Sequence, residues 1–507
     1  MIGDARAIAL DGLELRVRQA PPGEGTPFTG GSGVRYRWLW FGAGAAELDE
    51  DRVARLFDNP AGFASFNGVW AFLAADLAGR RTLCAADRLG IQAVYYRPDR
   101  GFASTNPMWL LTATGHDGSY SPDGLADHLG FGYAIHPERQ LYRGMARLAP
   151  ATYRIAREGT ARTGFYWNGE TEDNREPDLE RLARILRDAS RTSGREPYFG
   201  LTAGKDSLCL AAVAQTGRGI TFGDPACADQ IQGRALAAAL DWEHRPATLC
   251  QPADFSRWVH WIAEHSAGLT TASYVDMLDA VERTIPPSGA FVMGEAGECV
   301  RDFFPAGTGS PVDYLAQNYV TPAEFLRQTL TPDLRPDSDY PRRLLEGAGL
   351  LEGDPAEAAL RFYRNCRMPG NFAQRHAILS PLRAKLAPFA DSGFIGHAYG
   401  LGLDWFRASR LHREIIQHTR PDLLRFFDHP VSGAASAQGL PARMAGPLRI
   451  ALQEILEDAG PSLPECWDHA GIAALVNLTP PPDRAVYYLL RLATLAVAAK
   501  LMKTLRN

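Results

Sequence analysis

Glu196-Pro-Tyr-Phe-Gly-Leu-Thr-Ala-Gly-Lys-Asp-Ser-Leu-Cys-Leu-Ala-Ala-Val213 passes from an apolar run through a small-residue turn into a second apolar run. Tyr198 to Leu201 is a short apolar run that reads as a buried strand. Thr202 to Ser207 is a small-residue turn, and Leu208 to Val213 opens a helical apolar run. A strand that enters a glycine-bearing turn and then a helix gathers backbone N–H groups at the positive end of the helix dipole, where anionic phosphate is favoured. Lys205 and Ser207 add donors there, and Asp206 is a carboxylate of the kind that holds Mg²⁺ beside phosphate oxygens. An ordinary strand-to-helix connection with Ser207 as its cap explains the same window equally well.

Outward from this stretch, Leu179, Leu182, Ile185 and Leu186 mark a helix leading into the strand. Gly219 to Gly223 reads as a second strand, and Ala226 to Leu240 as a helix. Strands that alternate with helices predict a parallel sheet covered on both faces, with ligands beyond the carboxyl ends of the strands. The Thr202–Ser207 loop and the segment beginning at Phe222 both fall on that edge. Ala290 to Met293 predicts another short strand on it, and Gly294 to Glu298 a turn bearing Glu295 and Glu298. Two carboxylates beside a bound triphosphate would repel it without a cation, so the charges imply Mg²⁺. A solvated loop with two surface acids accounts for the second turn if it stands alone. Leu269 to Leu278 carries Ser273, Tyr274 and Asp276 before a further helix, where capping by Thr270, Thr271 or Ser273 is the ordinary reading. Arg361 to Arg375 concentrates four arginines, and Thr321 to Gly353 is rich in Pro, Asp and Gly, which predicts a mobile excursion over the site.

Composition sets the bounds. A length of 507 residues fits two domains, and 46% hydrophobic with 22% charged residues is ordinary for a chain that buries a large core. A formal charge of −5 argues against a general nucleic-acid coat. The seven cysteines, at 84, 209, 227, 250, 299, 366 and 466, show no CxxC or zinc-ligand spacing and predict buried thiols in a reducing, cytoplasmic setting. Tyr487 to Leu505 is apolar but interrupted by Arg491, Lys500 and Lys503, which predicts a packed terminal helix rather than a membrane span.

Residues 1 to about 170 read as strands punctuated by turns such as Pro21–Gly25 and Gly30–Gly33. Asn67-Gly68, Asp87-Arg88-Leu89-Gly90, Tyr95-Tyr96 and Ala103-Ser104 follow one another there, then Leu129–Tyr133, Leu141–Pro150 and Phe165-Tyr-Trp167. In this order and spacing they resemble the glutaminase-like N-terminal domain and linker of the asparagine-synthetase superfamily. Thr202–Ser207 resembles that family's SGGxDS pyrophosphate loop, with Thr202 and Ala203 replacing its first two residues. Gly294-Glu295-Ala296-Gly297-Glu298 resembles its GEGADE motif, with a longer acid at the end, and Pro388-Phe-Ala-Asp391 its PFLD.

The resemblance implies an Ntn-type α/β sandwich over residues 1–170 and an ATP-pyrophosphatase-type parallel-sheet synthetase domain over 171–507. It also implies ATP and Mg²⁺ as cofactors, with Asp206 and Glu298 holding the metal. Leu201, Thr202, Ala203, Gly204, Lys205, Asp206, Ser207, Phe222, Met293 and Gly294 would hold ATP or pyrophosphate. Ser273, Tyr274 and Asp276 would receive a carboxylate substrate, and Glu295 would be catalytic. The family's catalytic lysine has Arg410 at the nearest position, with Lys385 and Lys500 elsewhere.

The family hydrolyses glutamine with an N-terminal cysteine, whereas residue 2 is Ile2 and no cysteine precedes Cys84. The expected chemistry is therefore amide formation through an acyl-adenylate captured by a substrate amine, as in relatives that resemble lasso-peptide cyclases or β-lactam synthetases. The partners are a carboxylate- and amine-bearing substrate such as a precursor peptide, together with a pathway protein. A ligase acting on a sugar or envelope precursor, and a scaffold that has lost catalysis, are the other readings.

Overall fold

A computed structural model describes residues 7–8, 28–33, 35–42, 48–99, 102–157, 160–169, 176–192, 194–301, 311–428, 446–478 and 483–506. The predicted turn at Pro21–Gly25 and the expected domain boundary near residue 170 lie outside them.

Two antiparallel sheets form the first third. The larger runs β10 (Thr160–Phe165), β9 (Thr152–Arg157), β5 (Arg81–Ala86), β4 (Trp70–Asp76), β3 (Tyr36–Gly42), β2 (Phe28–Ser32). The smaller runs β1 (Ala7–Ile8), β7 (Ala103–Ser104), β6 (Tyr95–Tyr96), β8 (Ala146–Arg147). Side chains on β3 and β4 alternate between faces, as the period of two requires. Leu39, Phe41 and Leu73 meet Val94, Tyr96 and Leu148 between the sheets. Trp40, Trp70 and Phe72 pack outward under the helix Glu50–Asp58. This is the expected sandwich.

Gly30–Gly33 does not form the predicted turn, because Gly30 to Ser32 belong to β2. The reason is steric. A Cβ at Gly31 would fall 2.0 Å from the Trp38 indole, so the missing side chain makes room for the neighbouring strand's ring.

The second sheet is fully parallel: β13 (His244–Ala247), β12 (Arg218–Phe222), β11 (Glu196–Gly200), β14 (Gly289–Val292), β15 (Ala384–Leu386). Numbered within this sheet, the order is 3-2-1-4-5, and the direction of winding reverses between β11 and β14. Such a reversal opens a crevice at the carboxyl ends of the two strands. Both small-residue corners leave from those ends.

The two halves share a core. Tyr95, Met108, Leu111 and Leu129 of the first half are buried in one cluster with Trp258, Ile262, Leu492 and Leu495. The terminal helix Asp483–Arg506 is long and apolar enough to cross a membrane by length and composition, yet 83% of its most apolar window is buried inside the protein. Thr321–Gly353 is folded rather than a loose excursion. Its helices Ala323–Thr329 and Tyr340–Gly347 bury Phe325, Leu326, Tyr340 and Leu344.

A polar latch also joins the halves. Asn67 Nδ2 donates to Asp391 Oδ2 at 2.6 Å, and Ser392 N donates to Asn67 Oδ1 at 2.6 Å. Asp391 caps the helix Ser392–Ala398 through the Gly393 and Phe394 amides. Asn67→Ala is expected to lower stability by about 1–2 kcal/mol, read from the midpoint of urea unfolding. An unchanged midpoint would show that the latch carries no stability.

Candidate functional site

The first corner begins where Thr221 Oγ1 donates to Leu201 O at 2.7 Å and fixes the end of β11. Ala203 N donates to Asp229 Oδ1 at 2.7 Å, and Gly204 N to Thr202 Oγ1 at 3.0 Å. Ser207 Oγ donates back to Gly204 O at 2.8 Å. The helix Lys205–Val213 starts on Gly204, which has no side chain to cap it, so the first-turn amides present their positive end to the crevice. Lys205 reaches Ser409 Oγ at 3.3 Å and lies over the Phe427 ring.

The second corner presses directly on the first. A Cβ at Gly294 would stand 2.7 Å from Asp206 Cβ, and one at Gly297 2.6 Å from Asp206 Oδ1. Between them Ala296 is buried with φ +70°, a left-handed conformation that is uncommon for a residue with a Cβ. The corner therefore tolerates nothing larger than glycine at 294. Gly294→Ala is expected to displace Asp206, cost about 1–3 kcal/mol of stability and weaken pyrophosphate binding. Calorimetry with inorganic pyrophosphate checks this, and unchanged affinity would place the anion elsewhere.

Three acids converge here, and each has its own cation. Arg301 clasps Asp206 through Nε–Oδ1 and Nη2–Oδ2 contacts of 2.8 Å each, and His412 Nε2 lies 3.0 Å from Oδ1. Burial works to raise the Asp206 pKa, but Arg301 and His412 hold it well below the usual carboxylate range. Glu295 is held by Arg375 Nε at 2.6 Å and by the Lys385 ammonium. Those two cations outweigh burial and keep Glu295 ionised, while burial pushes the Lys385 pKa down to about 8. Glu298 faces Arg367 Nε at 4.0 Å, and burial raises its pKa. The cations outnumber the acids, so the crevice suits an anion.

The arginines enter through an unusual element. Tyr363–Phe372 is π-helical, with Pro369 inside it, and the helix Ala373–Leu379 continues from it. The wider i→i+5 turn carries Arg367 and the following Arg375 onto the acids, where ordinary helical spacing predicts a solvated face. Arg367 and Arg375 also stack near the Phe372 ring.

The other expected site residues divide. Phe222 and Met293 are partly buried at the ends of β12 and β14, flanking the first corner. Tyr274 lies near Arg375, with its hydroxyl 3.3 Å from Asn371 Oδ1. Ser273 is in the 3₁₀ turn Ala272–Tyr274, whose first amides Thr271 caps. Asp276 accepts from Cys250 N at 2.7 Å, a fold-stabilising bond.

Arg410 is a correction. It is exposed and stacks on Trp405, 3.8 Å from the ring, whereas Lys385 is the cation at Glu295. Lys500 pairs with Asp458 at the surface. The Mg²⁺ expectation also meets a different arrangement, since both Asp206 oxygens are engaged by Arg301. Among the described residues, no cluster of three or more His, Cys, Asp or Glu is suited to holding a metal.

Comparison with known proteins bears on the first half. Residues 59–167 match the model of a glutamine amidotransferase domain. No curated protein matches the chain. The match covers β4 to β10 of the sandwich and the two helices beneath it. Residues 59–167 thus resemble a glutamine amidotransferase domain, in line with the resemblance read from the sequence. Its single cysteine within the match, Cys84, is buried on β5 with its thiol pushed up to about 12 by burial, the wrong environment for a nucleophile.

Proposed function

We propose that the chain is an ATP-dependent, AMP-forming amide ligase that does not hydrolyse glutamine. The observation that carries this reading is the meeting of the two glycine corners at the sheet's switch point, with cations gathered around them. The first-turn amides of Lys205–Val213 cradle the pyrophosphate of ATP, with Arg301 and Arg367 alongside. A substrate carboxylate oxygen attacks the α-phosphorus and pyrophosphate leaves. A substrate amine then attacks the acyl-adenylate carbon and AMP leaves.

Glu295, ionised between two cations, positions Lys385 and Arg375 rather than accepting a proton. Lys385 supplies positive charge to the oxygen that develops negative charge. Residues 171–507 form the synthetase unit, seated on the glutaminase-like half. The substrate class that fits is a peptide with a carboxylate and an amine in one chain, closed to a macrolactam in the cytoplasm. Tyr274, beside Arg375, and the neighbouring Ser273 would receive its carboxylate.

Incubation with ATP and candidate peptides tests this. The expected result is ATP–pyrophosphate exchange, AMP release and a product lighter by one water in mass spectrometry. Absence of exchange with every carboxylate, together with no binding of ATP, would leave a non-catalytic scaffold. The engagement of Asp206 by Arg301 is the observation that favours that second reading.

A further inference from the structure

Each of the three acids that converge in this crevice faces a protein cation. Arg301 takes both oxygens of Asp206, at 2.8 Å each, and His412 stands 3.0 Å from one of them. Arg367 faces Glu298, and Arg375 with Lys385 holds Glu295. The Asp206 and Arg301 side chains are only 13% and 15% exposed, so the pair is largely removed from water.

A planar guanidinium bonded to both oxygens of a carboxylate is geometrically matched to it and more weakly hydrated than an ammonium. For a metal to ligate Asp206 it would have to expel Arg301, stranding a mostly buried guanidinium. Stranding a buried charge costs several kcal/mol. Mg²⁺ dehydrates reluctantly and requires near-ideal octahedral oxygen geometry, which this ion-paired set does not offer.

Resting on the function proposed above, we infer that Arg301, clamped on Asp206, is the resident counter-cation for the polyphosphate of the nucleotide. The chain then binds triphosphate or pyrophosphate without a divalent metal. Nε and Nη2 of the Arg301 guanidinium each donate to one Asp206 oxygen. Asp206 fixes its plane, the helix Arg410–Thr419 supports Asp206 through His412, and the cation reaches the crevice already oriented. The role expected for Asp206 changes accordingly, from metal ligand to the residue that positions Arg301.

Calorimetry of wild-type protein and of Arg301→Met, with ATP and separately with inorganic pyrophosphate, tests the inference in EDTA and in excess Mg²⁺. Wild-type affinity is expected to stay within about threefold between the two conditions. Arg301→Met is expected to lose about tenfold or more in EDTA, the weight of one charge-assisted contact. It should recover in Mg²⁺, because Asp206 becomes available to the metal. Arg301→Lys serves if the methionine variant does not fold, with an intermediate loss expected. Wild-type binding that appears only with Mg²⁺ would overturn this inference and leave the ligase reading standing. Binding of neither ligand under either condition would overturn both.

Discussion

Replacing Lys385 with methionine is expected to lower amide formation by about a hundred- to a thousandfold, the usual weight of one preorganised charge at a reacting oxygen. Pyrophosphate binding should survive, because Lys385 sits on Glu295 rather than on the loop at 202–207. Single-turnover product formation, compared with calorimetry, separates the two effects.

Stability carries a second signature of this lysine. Burial brings its pKa in the folded protein to about 8, below the 10.5 of a free lysine. Between those values the unfolded chain binds more protons than the folded one, so the lysine's contribution to stability rises with pH through that window. Below it, the folded protein carries the full cost of a buried charge. The wild-type-minus-Lys385→Met difference in unfolding free energy is therefore expected to climb from pH 8 toward pH 10.5. A flat difference would mean that Lys385 is solvated.

Asp206→Ala is expected to be the most destabilising change in the site. It leaves Arg301 and His412 facing each other without the carboxylate between them, at a cost of about 3–5 kcal/mol. The sign with pH is opposite to that of Lys385. The Asp206 pKa is depressed in the folded protein, so its stabilisation is fully present above the ordinary carboxylate value of 3.8 and is lost as pH falls below it. Wild type and variant should differ most at neutral pH and converge in acid. Urea midpoints at pH 7 and near pH 3 check this, and equal midpoints at pH 7 would remove the ion pair from the account. Exchange activity should vanish in the variant, through lost orientation of Arg301 as well as lost stability.

The corners were legible because local chemistry writes them. An apolar run, a small-residue turn and a helical run can be read within eighteen residues at Glu196–Val213, and Ala290–Glu298 repeats the first two parts. Their convergence follows from parallel-sheet rules, since both leave carboxyl ends of strands. The cations were not legible, because each arrives from far along the chain. Arg375 is 80 residues from Glu295, and Arg301 is 95 from Asp206. Lys385 is hard to read because β15 is a three-residue strand without visible alternation, whereas the family resemblance points to Arg410. The signal that could have found it is a lone lysine between Ala384 and Leu386, just ahead of Pro388-Phe-Ala-Asp391.

Arg367 and Arg375 were hidden differently. A run this rich in arginine usually forms a solvated helix face, and the π-helical turn at Tyr363–Phe372 changes which face they occupy. The sandwich was readable as strands, but its shared core with the second half was not. Periodicity reports that a face is buried without naming the partner that covers it.

Crystals grown with a non-hydrolysable ATP analogue would locate the phosphates. The β- and γ-phosphates are expected against the amides of residues 205–207, within reach of the Arg301 guanidinium and beside Gly294. Phosphates bound away from both corners, or side chains closing the crevice between them while nucleotide sits elsewhere, would contradict this placement.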